Sequence, residues 1–173
     1  MGAYLLIVVA VLSRVVPHPW LNFTAVGGGL LFFGARRPLR EAIWPVLALM
    51  ATDFYLTAFF YHYAWHTSGY LITWAWYAGA ILLGRIMLGR RVTVARVIAA
   101  PLLTATSFFL ASNFASWLEL YPHTAAGLTA CYALALPYYR NDVLSTLLVT
   151  GLAFGLPELA HRLAQQRAHK LAA

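Results

Sequence analysis

The chain has little cysteine and few acidic residues. Cys131 is the only cysteine among 173 residues, which excludes an internal disulfide and a zinc site built from several cysteines. Five acidic residues stand against twelve Lys and Arg, and the formal net charge is +7. Charged residues of both signs make up only 10% of the chain, which is low for a soluble domain of this length. The composition therefore argues against a soluble globular protein.

Short motifs typical of common enzyme classes are also missing. The sequence contains no Gly-x-Ser-x-Gly elbow, no His-Glu-x-x-His pair, no glycine loop for phosphate and no paired carboxylates. We therefore expect no enzymatic activity, no nucleotide site and no resident cofactor. The basic residues form neither a lysine-rich run nor a stripe with interleaved aromatics, so nucleic acid is not an expected partner.

Long apolar runs dominate what is present. Hydrophobic residues make up 62% of the chain, and the mean hydropathy is +0.71. Seven runs cover residues 3–16, 23–35, 42–61, 70–89, 92–118, 124–138 and 143–160. Because a helix of about 20 residues crosses a bilayer, we predict one all-α integral membrane domain over residues 1–173. The first, second and sixth runs are short, at about 14, 13 and 15 residues, and would tilt, thin the bilayer or stop halfway.

The basic residues orient the chain. Ten of the twelve Lys and Arg fall in or close to alternate gaps between the runs, the C-terminal tail included, and four of the six His fall in the other gaps. Basic gaps are expected on the cytoplasmic side of an inner membrane. An even number of crossings keeps the basic C-terminal tail inside, so we favour a bundle of six transmembrane helices with both termini cytoplasmic. The segment 124–138 is then a re-entrant or short outer helix, and Pro137 favours a break there. Seven full spans is the alternative.

Asp53 lies near the middle of the third apolar run, where a charge needs a partner or a water-filled cavity. Arg14 and Arg140 are its candidate partners, because they are the two cations on the outer side. The residue either forms a buried ion pair that fixes helix register or contributes to ligand binding. Asn22 and Asn113 are amides within or beside apolar runs, where interhelical hydrogen bonds and ligand contacts are both open.

Aromatic and imidazole side chains crowd the gaps assigned to the outer side. They are His18, Trp20, Phe23, Tyr61, His62, Tyr63, Trp65, His66, Trp117, Tyr121 and His123. An aromatic belt would explain many of them, but a belt should occur at both surfaces, and only Trp44 lies near the inner gaps. An external ligand pocket is therefore favoured. The four outer histidines also raise a metal, haem or corrinoid site, with Glu119 as their only acidic neighbour.

Four stretches carry a resemblance to a known family. They are RVVPHPWLNFTAVG at 14–27, SNFASW at 112–117, YPHTAAGLTACY at 121–132 and LPYYRN at 136–141. The chain resembles, over nearly its full length, a family of small bacterial membrane proteins of unknown function that are classed as candidate transport proteins. More distantly, it is similar to the S components of energy-coupling-factor vitamin transporters in its short first span, outer loop, Gly-rich second span and Asp in the third span.

The S-component resemblance implies a six-helix bundle that captures a vitamin or similar nutrient from the outer side. A separate transmembrane coupling subunit and ATPases would then supply the energy. Two features depart from that pattern. The first span lacks the Ala-x-x-x-Ala face with which S components dock the coupling subunit. Thr146 stands where the resemblance leads us to expect an acidic residue in the last span, so no charged role is assigned there.

The sequence therefore predicts a membrane uptake protein that binds a small aromatic or heterocyclic solute between its outer loops and the outer halves of its spans. Polar and stacking contacts are assigned to Asn22, Asp53, Asn113, Trp117 and Tyr121, with His18 and His66 at the rim. One alternative is a haem-, corrinoid- or metal-binding membrane subunit that uses the outer histidines. Another is a structural subunit of a membrane complex.

Overall fold

Six α-helices account for most of the residues that the structure describes. The computed structural model describes residues 1–17, 19, 22–65 and 67–172, with the side chains of all of these except 162, 163 and 166–172. The helices are α1 (Gly2–Val15), α2 (Val26–Arg36), α3 (Ile43–Tyr55), α4 (Thr67–Leu88), α5 (Val94–Leu120) and α6 (Ala125–Ala172). A short 3-10 helix, Leu39–Glu41, precedes α3, and a π-helical segment, Leu56–Tyr61, continues it. These described ranges contain no β-strand.

Four helical stretches are long and apolar enough to cross a membrane: Leu39–Tyr61, Thr67–Leu88, Val94–Leu120 and Ala125–His161. The prediction of an all-α membrane protein is confirmed at this level. The helices α1 and α2 have only 14 and 11 residues. At about 1.5 Å per residue they extend about 21 Å and 17 Å, against about 30 Å of hydrocarbon. The prediction of six full spans is therefore not confirmed, because two of the six helices are too short to cross unaided.

The short helix α2 is the centre of the bundle. It contacts α1, α4, α5 and α6, and the side chains of Leu30, Leu31 and Phe33 are fully buried. Gly34 and Gly84 bring the backbones of α2 and α4 together, since a Cβ atom on either would overlap a carbonyl oxygen of the other helix. Without a hydrophobic drive between helices in lipid, such close backbone approach is a main source of packing energy.

The end of α1 and the start of α2 lie at half height in the bundle. Arg14, near the end of α1, contacts Tyr77 in the middle of α4. Gly27, near the start of α2, lies against Thr146, well inside α6. The α3–α4 and α5–α6 hairpins extend past this level. The first two short runs thus extend only about halfway along the longer helices, which is one of the three possibilities given for them. Space is left between the longer helices beyond this level.

The last two apolar runs, 124–138 and 143–160, belong to one helix. The break predicted before Pro137 is wrong, because α6 continues through it, and no separate re-entrant helix is formed. A proline inside a helix costs about 3 kcal/mol or more. Tertiary contacts just beyond it oppose a break: Tyr139 hydrogen-bonds Thr106 of α5 at 2.9 Å, and its ring centroid lies 4.5 Å from that of Phe109 of α5.

The length of α6 exceeds what a membrane requires. Its 48 residues extend about 72 Å at about 1.5 Å per residue, more than twice the thickness of the hydrocarbon. The contacts of α6 with α2 reach as far as Phe154, whose ring packs 5.1 Å from that of Phe32. The last part of the helix therefore extends beyond the packed bundle, at the end where α2 finishes.

Candidate functional site

A buried ion pair connects α1, α3 and α4. Arg14 Nη2 lies 2.6 Å from Asp53 Oδ1, and Asp53 is only 3% exposed. The Tyr77 hydroxyl lies 3.2 and 3.1 Å from the two Asp53 oxygens and accepts from Arg14 Nη1 at 3.0 Å. Trp74 Nε1 donates to Asp53 Oδ2 at 2.9 Å. Of the two predicted partners of Asp53, Arg14 is confirmed, whereas Arg140 is exposed on α6.

Both oxygens of Asp53 are occupied by protein donors. This arrangement favours the interpretation in which the carboxylate fixes helix register and holds Arg14 in place.

The π-helical segment Leu56–Tyr61 begins three residues after Asp53, and its C-cap is His62, whose φ is 53°. Such π segments often occur beside functional sites, and this one ends in the left-handed conformation that turns the chain toward α4.

Three adjoining cavities occupy the space that begins where α1 ends and α2 starts and extends toward Tyr63 and Tyr121. The largest, about 530 Å³, lies between α5 and α6. The second, about 430 Å³, lies between α4, α5 and the loop before α4. The third, about 200 Å³, lies at the ion pair. Each pair of cavities shares wall residues. The first and third share Asn22, Phe108 and Asp142, the first and second share Ser112, Ser116 and Leu120, and the second and third share Tyr70 and Thr73. We call the three together the cleft.

The walls of the cleft combine aromatic rings with a few polar groups. Its largest cavity is lined by the rings of Phe108, Phe109, Tyr121, Tyr138 and Tyr139 and by the polar side chains of Asn22, Ser112, Asn113 and Ser116. Near the second cavity, Trp65 stacks on Tyr70 with ring centroids 4.0 Å apart. Apolar and aromatic walls with a small number of convergent polar groups are typical of small-molecule sites.

Asp142 is the acidic wall residue that the sequence-based prediction omitted. Its side chain is 6% exposed, and it lines both the largest and the smallest cavity. Thr146 Oγ1 donates to Asp142 Oδ1 at 3.4 Å, a long hydrogen bond. Thr146, to which no charged role was assigned, thus lies one turn from a buried carboxylate. The signal that revealed Asp53, an acid within apolar sequence, would have revealed Asp142 if residues 139–142 had not been interpreted as a loop.

Residues 1–169 match the family of unknown function DUF6580. The chain belongs to this family. It matches no curated protein and no solved structure. The matched residues include all three cavities, so the cleft of this DUF6580 protein lies within the family domain. A family of unknown function assigns no activity to this cleft.

The structure brings four of the seven predicted site residues of this DUF6580 protein to the cleft. Asn22, Asn113 and Tyr121 line the largest cavity, and Asp53 lines the smallest. Asn22 also lines the smallest cavity and has a φ of 54°, a left-handed conformation that asparagine tolerates better than most residues. The amide nitrogen of Asn113 donates to Phe109 O of its own helix at 2.7 Å.

Of the other three predicted residues, the structure describes only Trp117. Trp117 lines none of the three cavities, and its Nε1 donates to Pro122 O at 3.1 Å in the turn between α5 and α6. Its ring lies 5.3 Å from that of His123. His18 and His66 lie outside the described residues.

The described histidines near the cleft interact with backbone carbonyls. A ring nitrogen of His62 lies 3.2 Å from Ala58 O, and one of His123 lies 2.9 Å from Leu118 O. Within the described part of the chain, no three His, Cys, Asp or Glu residues lie together as a metal site requires. The metal or haem alternative therefore gains no ligand set from these residues.

Proposed function

We propose that the protein is a membrane uptake protein that captures a small heterocyclic, vitamin-like solute in its cleft from the outer side. The observation that supports this most directly is the cleft itself, three adjoining cavities that reach down to the level at which α1 ends and α2 starts. The largest, about 530 Å³, falls within the usual range of small-molecule sites. Four long helices would cross the bilayer around it.

The wall chemistry supports a flat solute with a polar edge. Phe108 and Tyr138 offer ring faces for stacking and desolvation. Asn22 and Asn113 offer amides that orient polar atoms by hydrogen bonds. Arg14 also lines the smallest cavity, where Asp53 holds its guanidinium. In this proposal Asp53 is a positioning residue, and the other wall groups touch the solute.

The charge pattern supports an outward-facing cleft. Its upper walls reach Tyr63 and Tyr121, beside the aromatic-rich loops, whereas the Arg-rich loops 36–40 and 90–96 lie at the opposite ends of the helices. If the basic ends are cytoplasmic, the aromatic end faces the exterior of an inner membrane and both termini are cytoplasmic. Uptake would then engage a coupling transmembrane subunit and ATPases, as the S-component resemblance implies.

A bulky substitution in the cleft tests this proposal. Ser116 lines the two larger cavities, so a Ser116→Trp side chain would fill the space that the solute needs. We expect wild-type protein to retain a small molecule in native mass spectrometry or to be stabilised by members of a vitamin and nucleobase panel. The Ser116→Trp variant should lose both the retained mass and the rise in Tm.

Leu118→Trp is the matched control. Leu118 lies two residues further along α5, is 46% exposed and lines none of the three cavities, so the added ring would lie outside the cleft. This variant should bind like the wild type. Equal binding by the Ser116 and Leu118 variants, or a wild-type protein that retains and responds to nothing, would contradict the proposed function.

A further inference from the structure

We propose that the solute is a ring-bearing organic cation and that Asp142 is its counter-ion. This inference rests on the proposed function and adds the charge of the solute to it. It starts from the charged residues that line the two cavities around Asp142, which are Arg14, Asp53 and Asp142 itself.

Of the two acids in these walls, Asp53 is neutralised by a described cation and Asp142 is not. Arg14 and Asp53 pair at 2.6 Å, and Tyr77 and Trp74 complete the hydrogen bonds of that carboxylate. Asp142 is nearly as buried, but it forms no ion pair with any residue that the structure describes. The described walls of the deep part of the cleft therefore carry one uncompensated negative charge.

An unpaired carboxylate at this depth is costly. Removing a charge from water requires a compensating charge or several hydrogen bonds, and the described part of the chain gives Asp142 only the long bond from Thr146 at 3.4 Å. A cationic nitrogen of a bound solute would supply the missing partner. Because Asp142 lines two cavities, this nitrogen could reach it from either one.

The rings beside Asp142 favour the same class of solute. Phe108 lines both cavities that Asp142 lines, and Tyr138 and Tyr139 line the larger one. Aromatic faces attract cations as well as stack on other rings, and the attraction is larger when the cation is desolvated. A protonated amine, an amidinium or a quaternary nitrogen attached to a ring combines both interactions.

The charge of the cleft can be measured without knowing the solute. In a Cys131→Ala background, the Ala135→Cys variant places a single thiol on a wall of the largest cavity, two helical turns before Asp142 on the same face of α6. The probes are two methanethiosulfonates, one with a trimethylammonium group and one with a sulfonate. Each rate of modification is divided by the rate of the same reagent with a small free thiol.

We expect the cationic reagent to be favoured by about tenfold at low salt, since a carboxylate about 10 Å away attracts one reagent and repels the other. Adding Asp142→Asn should remove this preference. Glu119→Gln is the matched control: Glu119 lines the second cavity, is exposed and has a partner of its own, so its loss should leave most of the preference.

Three ring compounds of equal shape then test the ligand class. Benzamidinium, benzamide and benzoate differ mainly in charge, and we expect benzamidinium to slow the modification of the Ala135→Cys thiol at the lowest concentration. Equal protection by benzamide, a preference for the sulfonate reagent, or a cation preference that survives Asp142→Asn would overturn the counter-ion role. A thiol that reacts with neither reagent until the protein is unfolded would instead overturn the proposed function, because the cleft would be closed to solutes.

Discussion

Asp53 and Asp142 are both buried acids, yet among the residues that the structure describes only Asp53 has a cationic partner. Arg14, Tyr77 and Trp74 donate to Asp53, whereas the described residues supply Asp142 with a single long bond, from Thr146. Removing one member of a buried ion pair is strongly destabilising, because it leaves the other charge uncompensated, whereas removing an unpaired buried charge is not. The first residue belongs to the scaffold of the cleft, and the second is available to a ligand.

Amide substitutions should separate these two roles. Asp53→Asn leaves the Arg14 guanidinium without its counter-ion, and we expect the free energy of unfolding to fall by about 3 to 5 kcal/mol. Asp142→Asn removes an unpaired charge, so stability should be unchanged or higher. Denaturant unfolding in detergent micelles measures both. Equal losses of stability in the two variants would show that Asp142 is also held by the scaffold.

The sequence predicted the role of one acid and not of the other for a local reason. Asp53 is surrounded by apolar residues on both sides, so its cost in a membrane is evident, and Arg14 was one of only two cations on the same side. Asp142 follows Pro137, Arg140 and Asn141, a pattern typical of a loop. Only tertiary packing reveals that this stretch is helical and that its acid points into a cavity.

Glycine contacts hold the helices in place. Gly34 of α2 and Gly84 of α4 face each other's backbones, with a carbonyl oxygen of the opposite helix where a Cβ atom would be. Gly79, also in α4, has no atom within 4 Å of that position. The two glycines of α4 therefore have different roles although they lie in one helix.

Alanine at these two positions should change stability in opposite directions. Gly84→Ala forces α2 and α4 apart, and we expect the free energy of unfolding to fall by about 1 to 3 kcal/mol. Gly79→Ala only adds a better helix former at an open site, with a gain of up to about 1 kcal/mol. Thermal unfolding of the two purified variants tests this. Similar losses in both would mean that α4 does not depend on close contact with α2.

Helix type was easier to predict from sequence than helix ends. Apolar runs matched three of the four described helices that are long and apolar enough to cross a membrane and divided the fourth, α6, into two, because a run of about 20 apolar residues has few alternatives in a bilayer. The break predicted within α6 was wrong, because its contacts with α2 and α5 keep the helix intact through Pro137. The half-height position of the end of α1 depends on the long-range contact of Arg14 with Asp53, which run lengths alone do not specify.

The two ends of the molecule differ in chemistry: one is basic and the other is aromatic. At the end with the chain terminus Met1, Arg37 donates to both oxygens of Glu41 at 2.7 and 2.9 Å, and Tyr4 donates to the same carboxylate at 2.5 Å. The hydrogen bond to Glu41 raises the pKa of Arg37, and the neighbouring Arg36 and Arg40 keep the net charge of this loop positive. The opposite end carries exposed rings such as Tyr63 and Trp65. The cleft approaches only the aromatic end, so a solute would enter it from that side.

Labelling of single cysteines tests that direction. In the Cys131→Ala background, Tyr63→Cys lies on an exposed residue of the second cavity's upper wall, and Arg90→Cys lies in an exposed basic loop at the other end. With a membrane-impermeant maleimide, we expect the Tyr63 variant to be labelled in intact cells and the Arg90 variant only after permeabilisation, since basic loops are retained in the cytoplasm. The reverse pattern would place the mouth of the cleft in the cytosol, and the protein could then not capture a solute from outside.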